Sequence, residues 1–292
     1  MMESKKEIYD LIPPEYYPTT ILIASHSDRD NILEKVADAG IPFPLIAKPD
    51  IGLRGSAVKK IHTPEELLQY NAKADFNYLV QALIPYQNEV GIFYVRYPDQ
   101  PSGKITGIVA KEFMIVTGDG NKTIEQLVMQ NPRYALKLNT LQKEYGAKLQ
   151  DVLPKGVLLN LVPYGNHARG SKFIDATHWA TPELERQVDA ICQKISGFYF
   201  GRIDIMYNSV AEMEQGKNVQ IVEINGASSE PTHIYDPKHT IFFAWKELFR
   251  HITMMYEISV INYRRGFPYL QYKEGMAEYR KHVQQEKRIV NF

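Results

Sequence analysis

Gly201-Arg-Ile-Asp-Ile-Met206 and Val222-Glu-Ile-Asn-Gly226 are two short stretches in which polar residues alternate with isoleucine. Alternation of apolar and polar residues is typical of a half-buried β-strand that lays one face on a core. A polar connection lies between the two stretches, as between strands that pair with each other. We therefore predict paired strands over residues 201–207 and 219–225.

The polar residues of these strands are expected to share one surface. Alternate side chains of a strand point to the same side, so Arg202 and Asp204 share a face, as do Glu223 and Asn225. If the strands pair, three oxygen-bearing side chains and one guanidinium group come together. The core would then receive the intervening isoleucines, which are Ile203, Ile205, Ile221 and Ile224.

This surface has the chemistry of a magnesium site. Carboxylate and amide oxygens are the hard ligands that Mg²⁺ prefers, especially when substrate phosphates complete its coordination. The predicted metal ligands are Asp204, Glu223 and Asn225. Two negative charges would repel each other without a cation, and Arg202 offsets only one of them while offering bidentate bonds to a carboxylate or phosphate. The alternative is a solvated strand face with a surface salt bridge.

A lysine and a glycine-rich loop form the second candidate site. Ile46-Ala-Lys-Pro49 is predicted to end a strand, and Gly52-Leu-Arg-Gly-Ser56 follows it. Backbone N–H groups of such a loop can surround an anion, and Lys48 adds a positive charge. The combination suits phosphate binding, although an ordinary hairpin has the same composition.

Two further segments give weaker indications. The apolar stretch from Tyr78 to Pro85, which includes Gln81, could hold an adenine through its backbone, and Glu89 could accept from ribose hydroxyls. An ordinary strand crossover explains that stretch equally well. The loop from Pro163 to Ser171 contains Arg169 and could stabilise developing anionic charge, or it is a surface turn.

Taken together, these motifs resemble the ATP-grasp superfamily, which includes D-alanine–D-alanine ligases, glutathione synthetases and cyanophycin synthetase. The segments Val116–Leu127 and Gly165–Thr177 are most similar to the cyanophycin synthetase branch. The resemblance covers about residues 20 to 235. It implies an α+β fold, the ATP-grasp fold, in which two α+β subdomains enclose the nucleotide.

The resemblance also implies a chemistry and a set of residue roles. A carboxylate would be activated by ATP and Mg²⁺ as an acyl phosphate, and an amine or another nucleophile would then attack it. Arg202 and Arg169 would stabilise phosphoryl or tetrahedral charge. The implied nucleotide-binding residues are Lys48, the lid-loop residues Gly52, Gly55 and Ser56, the hinge residue Gln81, the ribose acceptor Glu89 and the second basic contact Lys111.

The chain departs from the superfamily at two places. Only 47 residues precede Lys48, so the usual N-terminal domain is expected to be reduced or missing here, to precede the given sequence, or to be supplied by another chain. The segment after the acidic strand, from Gly226 to His233, lacks the usual small-Pro-Gly sequence, so neither substrate can be named. We expect an N-terminal arm and helix over 1–40, extended through the prolines of residues 8–18. The other expected units are a small subdomain over 41–116, a large subdomain over 117–255 and a helical extension over 256–292.

Composition narrows the functional classes. The 292 residues include 34 basic and 34 acidic side chains, so a global basic field for nucleic acid is absent. With one cysteine and no signal-peptide or membrane-spanning pattern, we expect a cytoplasmic protein. The resemblance to the superfamily implies small carboxylate and amine substrates. A homodimer stays open, as do a nucleotide-binding protein without catalysis and a small-molecule phosphotransferase. The aromatic region from Tyr256 to Tyr279 is expected to be core packing or a partner surface.

Overall fold

The computed structural model describes residues 4–51, 55–161, 171–290 and 292. Within these ranges, helices accompany two larger antiparallel sheets and one two-stranded sheet, which confirms the α+β prediction. The two larger sheets form the framework of the candidate site.

The smaller of these two sheets has four strands in the order β1-β4-β2-β3. Asp28 and Thr63 cap the two helices that cover it, and each cap accepts a hydrogen bond from a backbone N–H of the first turn. Its elements are β1 (Thr20–Ile23), α2 (Arg29–Asp38), β2 (Leu45–Pro49), β3 (Lys59–Ile61), α3 (Pro64–Lys73) and β4 (Tyr78–Ala82).

The larger sheet has five strands in the order β11-β10-β5-β6-β9. Two of its strands come from before residue 116 and three from after it, so this sheet spans the boundary expected between the subdomains. Thr181 caps α7, and this helix packs its apolar stripe on the sheet. The elements are β5 (Asn88–Val95), β6 (Lys104–Glu112), β9 (Lys172–Asp175), α7 (Pro182–Lys194), β10 (Phe200–Tyr207), α8 (Val210–Glu214) and β11 (Val219–Asn225).

A two-stranded sheet with its own helices lies between β6 and β9 in the sequence. The β-prone sequence from Ile105 to Val116 predicts one continuous strand, but β6 ends at Glu112 and Val116 belongs to a separate strand that pairs with residues 158–160. That part of the prediction is wrong. The elements are β7 (Ile115–Thr117), α4 (Ile124–Met129), α5 (Pro132–Ala135), α6 (Leu138–Tyr145) and β8 (Leu158–Asn160).

The N-terminal segment is not the extended arm that its prolines suggested. Helix α1 runs over Lys5–Leu11, and Ser4 caps it by accepting a hydrogen bond from the backbone N–H of Glu7. The helix is compatible with the prolines because it ends before Pro13. The side chain of Asp50, just after β2, accepts hydrogen bonds from Ser4 and from the backbone N–H of Lys6, and so fixes the start of α1 to the four-stranded sheet.

Two long helices complete the described chain. Helix α9 (Ile241–Arg264) packs on the five-stranded sheet, and α10 (Tyr272–Val290) brings Ile289 into the core of the four-stranded sheet. In the ranges that the structure describes, no helix combines the length and the apolar character that crossing a membrane requires.

Candidate functional site

Strands β10 and β11 place the predicted metal ligands side by side. Asp204 lies directly opposite Glu223, and Arg202 lies opposite Asn225, in an antiparallel register. A β-bulge follows immediately, because Ile205 pairs with Ile221 and skips one residue of β11. The extra residue explains how Ile221 and Glu223, two positions apart, have different surroundings: Ile221 is buried in the core, while Glu223 belongs to the polar surface.

Asp204 is buried and paired with two cations. Arg202 donates to both of its carboxylate oxygens, at 2.9 Å and 3.2 Å, and the ammonium group of Lys111 lies 3.4 Å from Oδ1. Burial alone would raise the pKa of Asp204, but the charges of Arg202 and Lys111 outweigh it and lower the pKa below the usual value. Asp204 is therefore a charged carboxylate held in place from two sides.

Glu89 belongs to the same buried cluster. It lies opposite Lys111 across β5 and β6, and the two side chains form a short ion pair. Burial would lower the pKa of Lys111, but the charges of Asp204 and Glu89 outweigh this and raise it. Lys111 thus links the carboxylates of Glu89 and Asp204. Glu89 and Lys111, both predicted from the sequence, lie at the candidate site.

Lys5 of helix α1 forms an ion pair with Glu223, 218 residues later in the chain. Burial would raise the pKa of Glu223, but the Lys5 charge outweighs it and the pKa is lowered. The sequence argument missed Lys5 because it assigned the N-terminal segment to an extended arm. A serine cap before Lys5-Lys-Glu was the available signal of a helix.

The charges of this cluster are balanced without a bound metal. Three cations, Lys5, Lys111 and Arg202, face three carboxylates, those of Glu89, Asp204 and Glu223. The expectation that the carboxylates could not cluster without an added cation is therefore wrong, because Lys5 and Lys111 supply the charge. We name these six side chains the charged cluster.

The chemistry of the ligand set nevertheless suits magnesium. Across residues 4–51, 55–161 and 171–290, no group of three or more His, Cys, Asp or Glu side chains forms a ready metal site. Magnesium commonly binds through one or two carboxylates together with substrate phosphates. Asp204 and Glu223 provide the carboxylates on adjacent strands, and the side-chain amide nitrogen of Asn225 donates to Asp204 Oδ2 at 3.5 Å, which places Asn225 beside them.

Lys48 is the corresponding feature of the four-stranded sheet. Its buried ammonium group donates to Tyr9 Oη and to Gln81 Oε1, each at 2.9 Å, and Gln81 is held in turn by Thr20. Both partners of Lys48 are neutral. Burial, and secondarily the nearby charge of Lys5, lower the pKa of Lys48 to about 7.

The hydroxyl group of Tyr9 connects the two larger sheets. It accepts from Lys48 on β2 and donates to the backbone carbonyl of Val222, the extra residue of the bulge in β11. Burial raises the pKa of Tyr9 to about 12, so this hydroxyl stays protonated. Helix α1 thus joins Lys48 of one sheet to the charged cluster of the other through Tyr9 and Lys5.

The structure bears less directly on the predicted lid and loop residues. Gly55 has a positive φ of 80°, which favours glycine, and Ser56 follows it in a turn. Gly52 and Arg169 lie outside the described residues. The roles predicted for these four residues stay predictions.

Two curated proteins match the sequence. The glutathione biosynthesis bifunctional protein of Streptococcus mutans is 26% identical over 216 residues, which cover 66% of this chain and 28% of that protein. Cyanophycin synthetase of Synechocystis is 26% identical over 223 residues, 70% of this chain and 25% of that protein. The chain therefore spans only about a quarter of the length of these relatives. They confirm the predicted resemblance to the ATP-grasp superfamily.

No protein-family model matches the chain. Among solved structures, the D-alanine–D-alanine ligase of Bacillus anthracis has a TM-score of 0.49 at 15% identity, with 90% of this chain and 69% of that chain covered. The bifunctional glutathione synthetase of Pasteurella multocida has a TM-score of 0.45 at 14% identity, over 86% of this chain and 35% of that chain.

Proposed function

From the resemblance to the ATP-grasp superfamily, we propose that this chain uses ATP and magnesium to join a carboxylate to an amine through an acyl phosphate. The observation that carries the proposal is the placement of Lys48 opposite the charged cluster, with Tyr9 between them. Lys48 offers an ammonium group whose hydrogen-bond partners are neutral, and the charged cluster offers carboxylates on adjacent strands. A nucleotide polyphosphate with its metal requires both.

Lys48 is suited to bind phosphate because its present partners are neutral. A buried ammonium group gains more from an anion than from hydroxyl and amide dipoles, since electrostatic interactions strengthen in a low dielectric. Phosphate oxygens would replace Tyr9 or Gln81 as acceptors and restore the lowered pKa of Lys48 toward its ordinary value.

Asp204, Glu223 and Asn225 are the residues that would hold magnesium. When bound there, the ion supplies charge neutralisation and orientation to the phosphates. Glu223 can take part only if its carboxylate exchanges Lys5 for the ion, whereas Asp204 keeps Arg202 and Lys111 as supports. Arg202 is thereby positioned to stabilise a transferring phosphoryl group beside Asp204.

The proposed reaction has two steps. A substrate carboxylate oxygen attacks the γ-phosphorus of ATP, the bond to the β-phosphate oxygen breaks, and ADP leaves with the electron pair. The amine nitrogen then attacks the acyl carbon, phosphate leaves, and the nitrogen loses one proton to solvent. Lys48 and Arg202 hold anionic charge in place, and no side chain needs to form a covalent bond.

Hydroxylamine trapping tests this proposal directly. The purified chain is incubated with ATP, magnesium, hydroxylamine and pools of amino acids and small carboxylates. ADP and the hydroxamate that hydroxylamine forms with an acyl phosphate are both measured. ADP release that depends on a carboxylate, with hydroxamate formed in the same sample, is the expected result. A stable phosphorylated product without hydroxamate would instead indicate a phosphotransferase, and ATP binding without ADP release would indicate a non-catalytic nucleotide-binding protein.

A further inference from the structure

Helix α9 has one face packed on the five-stranded sheet. His251 makes edge contacts with the rings of Phe93 and Phe200, and Ile258 is buried in the same cluster. Glu247, one turn before His251, is buried as well. These residues fix the rotation of α9 about its axis, so the opposite face of the helix points away from the sheet.

The outward face of α9 is a continuous row of large apolar side chains. Phe242 and Phe249 are 73% and 71% exposed, and Tyr256 is 65% exposed. The row follows one line of the helix at alternating spacings of three and four residues. We call it the aromatic seam, and it consists of Phe242, Trp245, Phe249, Ile252, Tyr256, Ser259 and Tyr263.

Alternating spacings of three and four residues are the pattern by which two long helices pack along their length. The aromatic seam keeps this pattern for three full repeats, over about 32 Å of helix. The face packed on the sheet has the same spacing, from Glu247 through His251 to Ile258, because each face follows one line of the helix. The aromatic seam is therefore a second apolar face, long enough for a helical partner of similar length.

The exposed area is large enough for a stable interface. Six of the seven side chains are apolar or aromatic, and each exposes half of its surface or more. Aromatic side chains of this size offer 150–250 Å² each, so the seam presents on the order of 700 Å². A standard interface buries roughly 800 Å² on each partner. The exposed Tyr269 stacks on Tyr263 and extends the seam at its C-terminal end.

We propose that the aromatic seam pairs with the same seam of a second copy of this chain, in the antiparallel direction. No seam position carries a charge, and the chain has a formal net charge of zero, so neither local nor overall repulsion opposes self-association. A two-fold axis places identical surfaces against each other, which a single self-complementary row of apolar residues satisfies.

The antiparallel direction follows from the sizes of the seam residues. In a parallel pair each residue meets its own copy, so Trp245 would crowd Trp245 and Ser259 would leave a gap against Ser259. In an antiparallel pair centred on Ile252, the small Ser259 of one copy lies opposite the large Trp245 of the other. In the antiparallel arrangement the two helix dipoles also point in opposite directions, which is electrostatically favourable.

Sedimentation velocity of the full chain tests the dimer. Wild-type protein at micromolar concentration is expected to have twice the 33.6 kDa chain mass, and Phe249→Glu is expected to shift the equilibrium at least 100-fold toward the monomer. Leu136→Glu is the matched control, because Leu136 is 83% exposed and lies outside the seam. It should leave the dimer intact, and circular dichroism should show both variants folded.

Cysteine cross-linking tests the direction. The native Cys192 is buried, so Ile252→Cys and Tyr263→Cys each add one accessible thiol. Oxidation should cross-link Ile252→Cys, which lies near the centre of the seam, but not Tyr263→Cys, whose two copies lie at opposite ends. Cross-linking of both would overturn the antiparallel direction. A monomeric wild type, including one that instead binds vesicles of anionic lipid through this face, would overturn the proposal.

Discussion

The two halves of the candidate site neutralise their charges in opposite ways. On the five-stranded sheet, each carboxylate of the charged cluster has a cationic partner, and the pKa values of Asp204 and Glu223 are lowered as a result. On the four-stranded sheet, Lys48 is buried against neutral groups, and its pKa is lowered to about 7. A single helix, α1, contacts both halves.

This difference separates residues that hold the site together from a residue kept ready for a ligand. Removing one member of a buried ion pair leaves the other charge uncompensated, so the charged cluster is tied to stability. Burial of the Lys48 ammonium group beside neutral partners costs free energy in the folded state. Removing it is therefore not expected to destabilise the fold, and we assign Lys48 to ligand binding. Substitutions in both halves can test this contrast, from the largest expected effect to the smallest.

Asp204→Ala is expected to destabilise the protein by about 3–5 kcal/mol, because Arg202 and Lys111 would be left buried with one carboxylate fewer. Chemical denaturation measures the loss. Asp99→Ala, at an exposed position between β5 and β6, is the control and should stay within about 0.5 kcal/mol of wild type. An equally small effect of Asp204→Ala would show that the cluster does not stabilise the fold.

Lys48 should make stability rise with pH above neutrality. Its pKa is about 7 in the folded protein and about 10.5 when unfolded, so the unfolded chain binds the extra proton between these values. The free energy of unfolding should therefore increase from pH 7 to pH 10, by on the order of a few kcal/mol. The comparison is with Lys48→Met, in which this part of the pH dependence should disappear. Identical pH profiles would contradict the lowered pKa.

Lys48→Met should also weaken ATP binding by roughly 1.5–3 kcal/mol, the size of one hydrogen bond to a charged group. The fold should survive, because the substitution removes a buried amine with neutral partners. Lys60→Met, on the exposed neighbouring strand β3, is the matched control for isothermal titration. Wild-type affinity in Lys48→Met would exclude Lys48 from the nucleotide site.

Proton uptake on ATP binding gives an independent measurement of the lowered pKa of Lys48. At pH 8 most Lys48 side chains are neutral, and a bound phosphate would raise the pKa and draw in a proton. Titration in buffers with different ionisation enthalpies measures this uptake. It should be present in wild type and Lys60→Met and absent in Lys48→Met.

The sequence predicted those features that depend on near neighbours. The pairing of β10 with β11 follows from a local pattern, and the structure confirms it. The polar surface shared by Asp204 and Glu223 follows from the same alternation. The prediction that Ile221 lies in the core while Glu223 lies on that surface is also confirmed, but strict alternation does not explain it. It requires the bulge at Val222, and nothing in the sequence marks that bulge.

The parts that sequence reasoning missed depend on distant contacts. Lys5 and Tyr9 reach the site only because α1 lies between the two sheets, and their partners are more than 200 residues away in the chain. The charge balance of the cluster was misjudged for the same reason. A count of charges on two strands could not include a lysine from another element.

The smallest expected effects concern the pair of Lys5 and Glu223, which is partly exposed. Glu223→Gln removes the carboxylate that pairs with Lys5, so it is expected to destabilise the fold and not to relieve repulsion. Because exposure screens the pair, a loss of at most about 1 kcal/mol is predicted for Glu223→Gln and for Lys5→Met alike. The double variant should recover part of that loss, which a double-mutant cycle by thermal or chemical denaturation would measure.

Magnesium dependence should distinguish Glu223→Gln from Lys5→Met, although the two variants are expected to be equally stable. If Glu223 is a metal ligand, Glu223→Gln should raise the magnesium concentration that half-saturates ATP binding or turnover. Lys5→Met should lower it, because Lys5 no longer competes for the carboxylate. Opposite shifts with equal stabilities would assign Glu223 to the metal. Equal shifts in the same direction would mean that the pair acts only by positioning α1, and the metal would then rest on Asp204 and Asn225 alone.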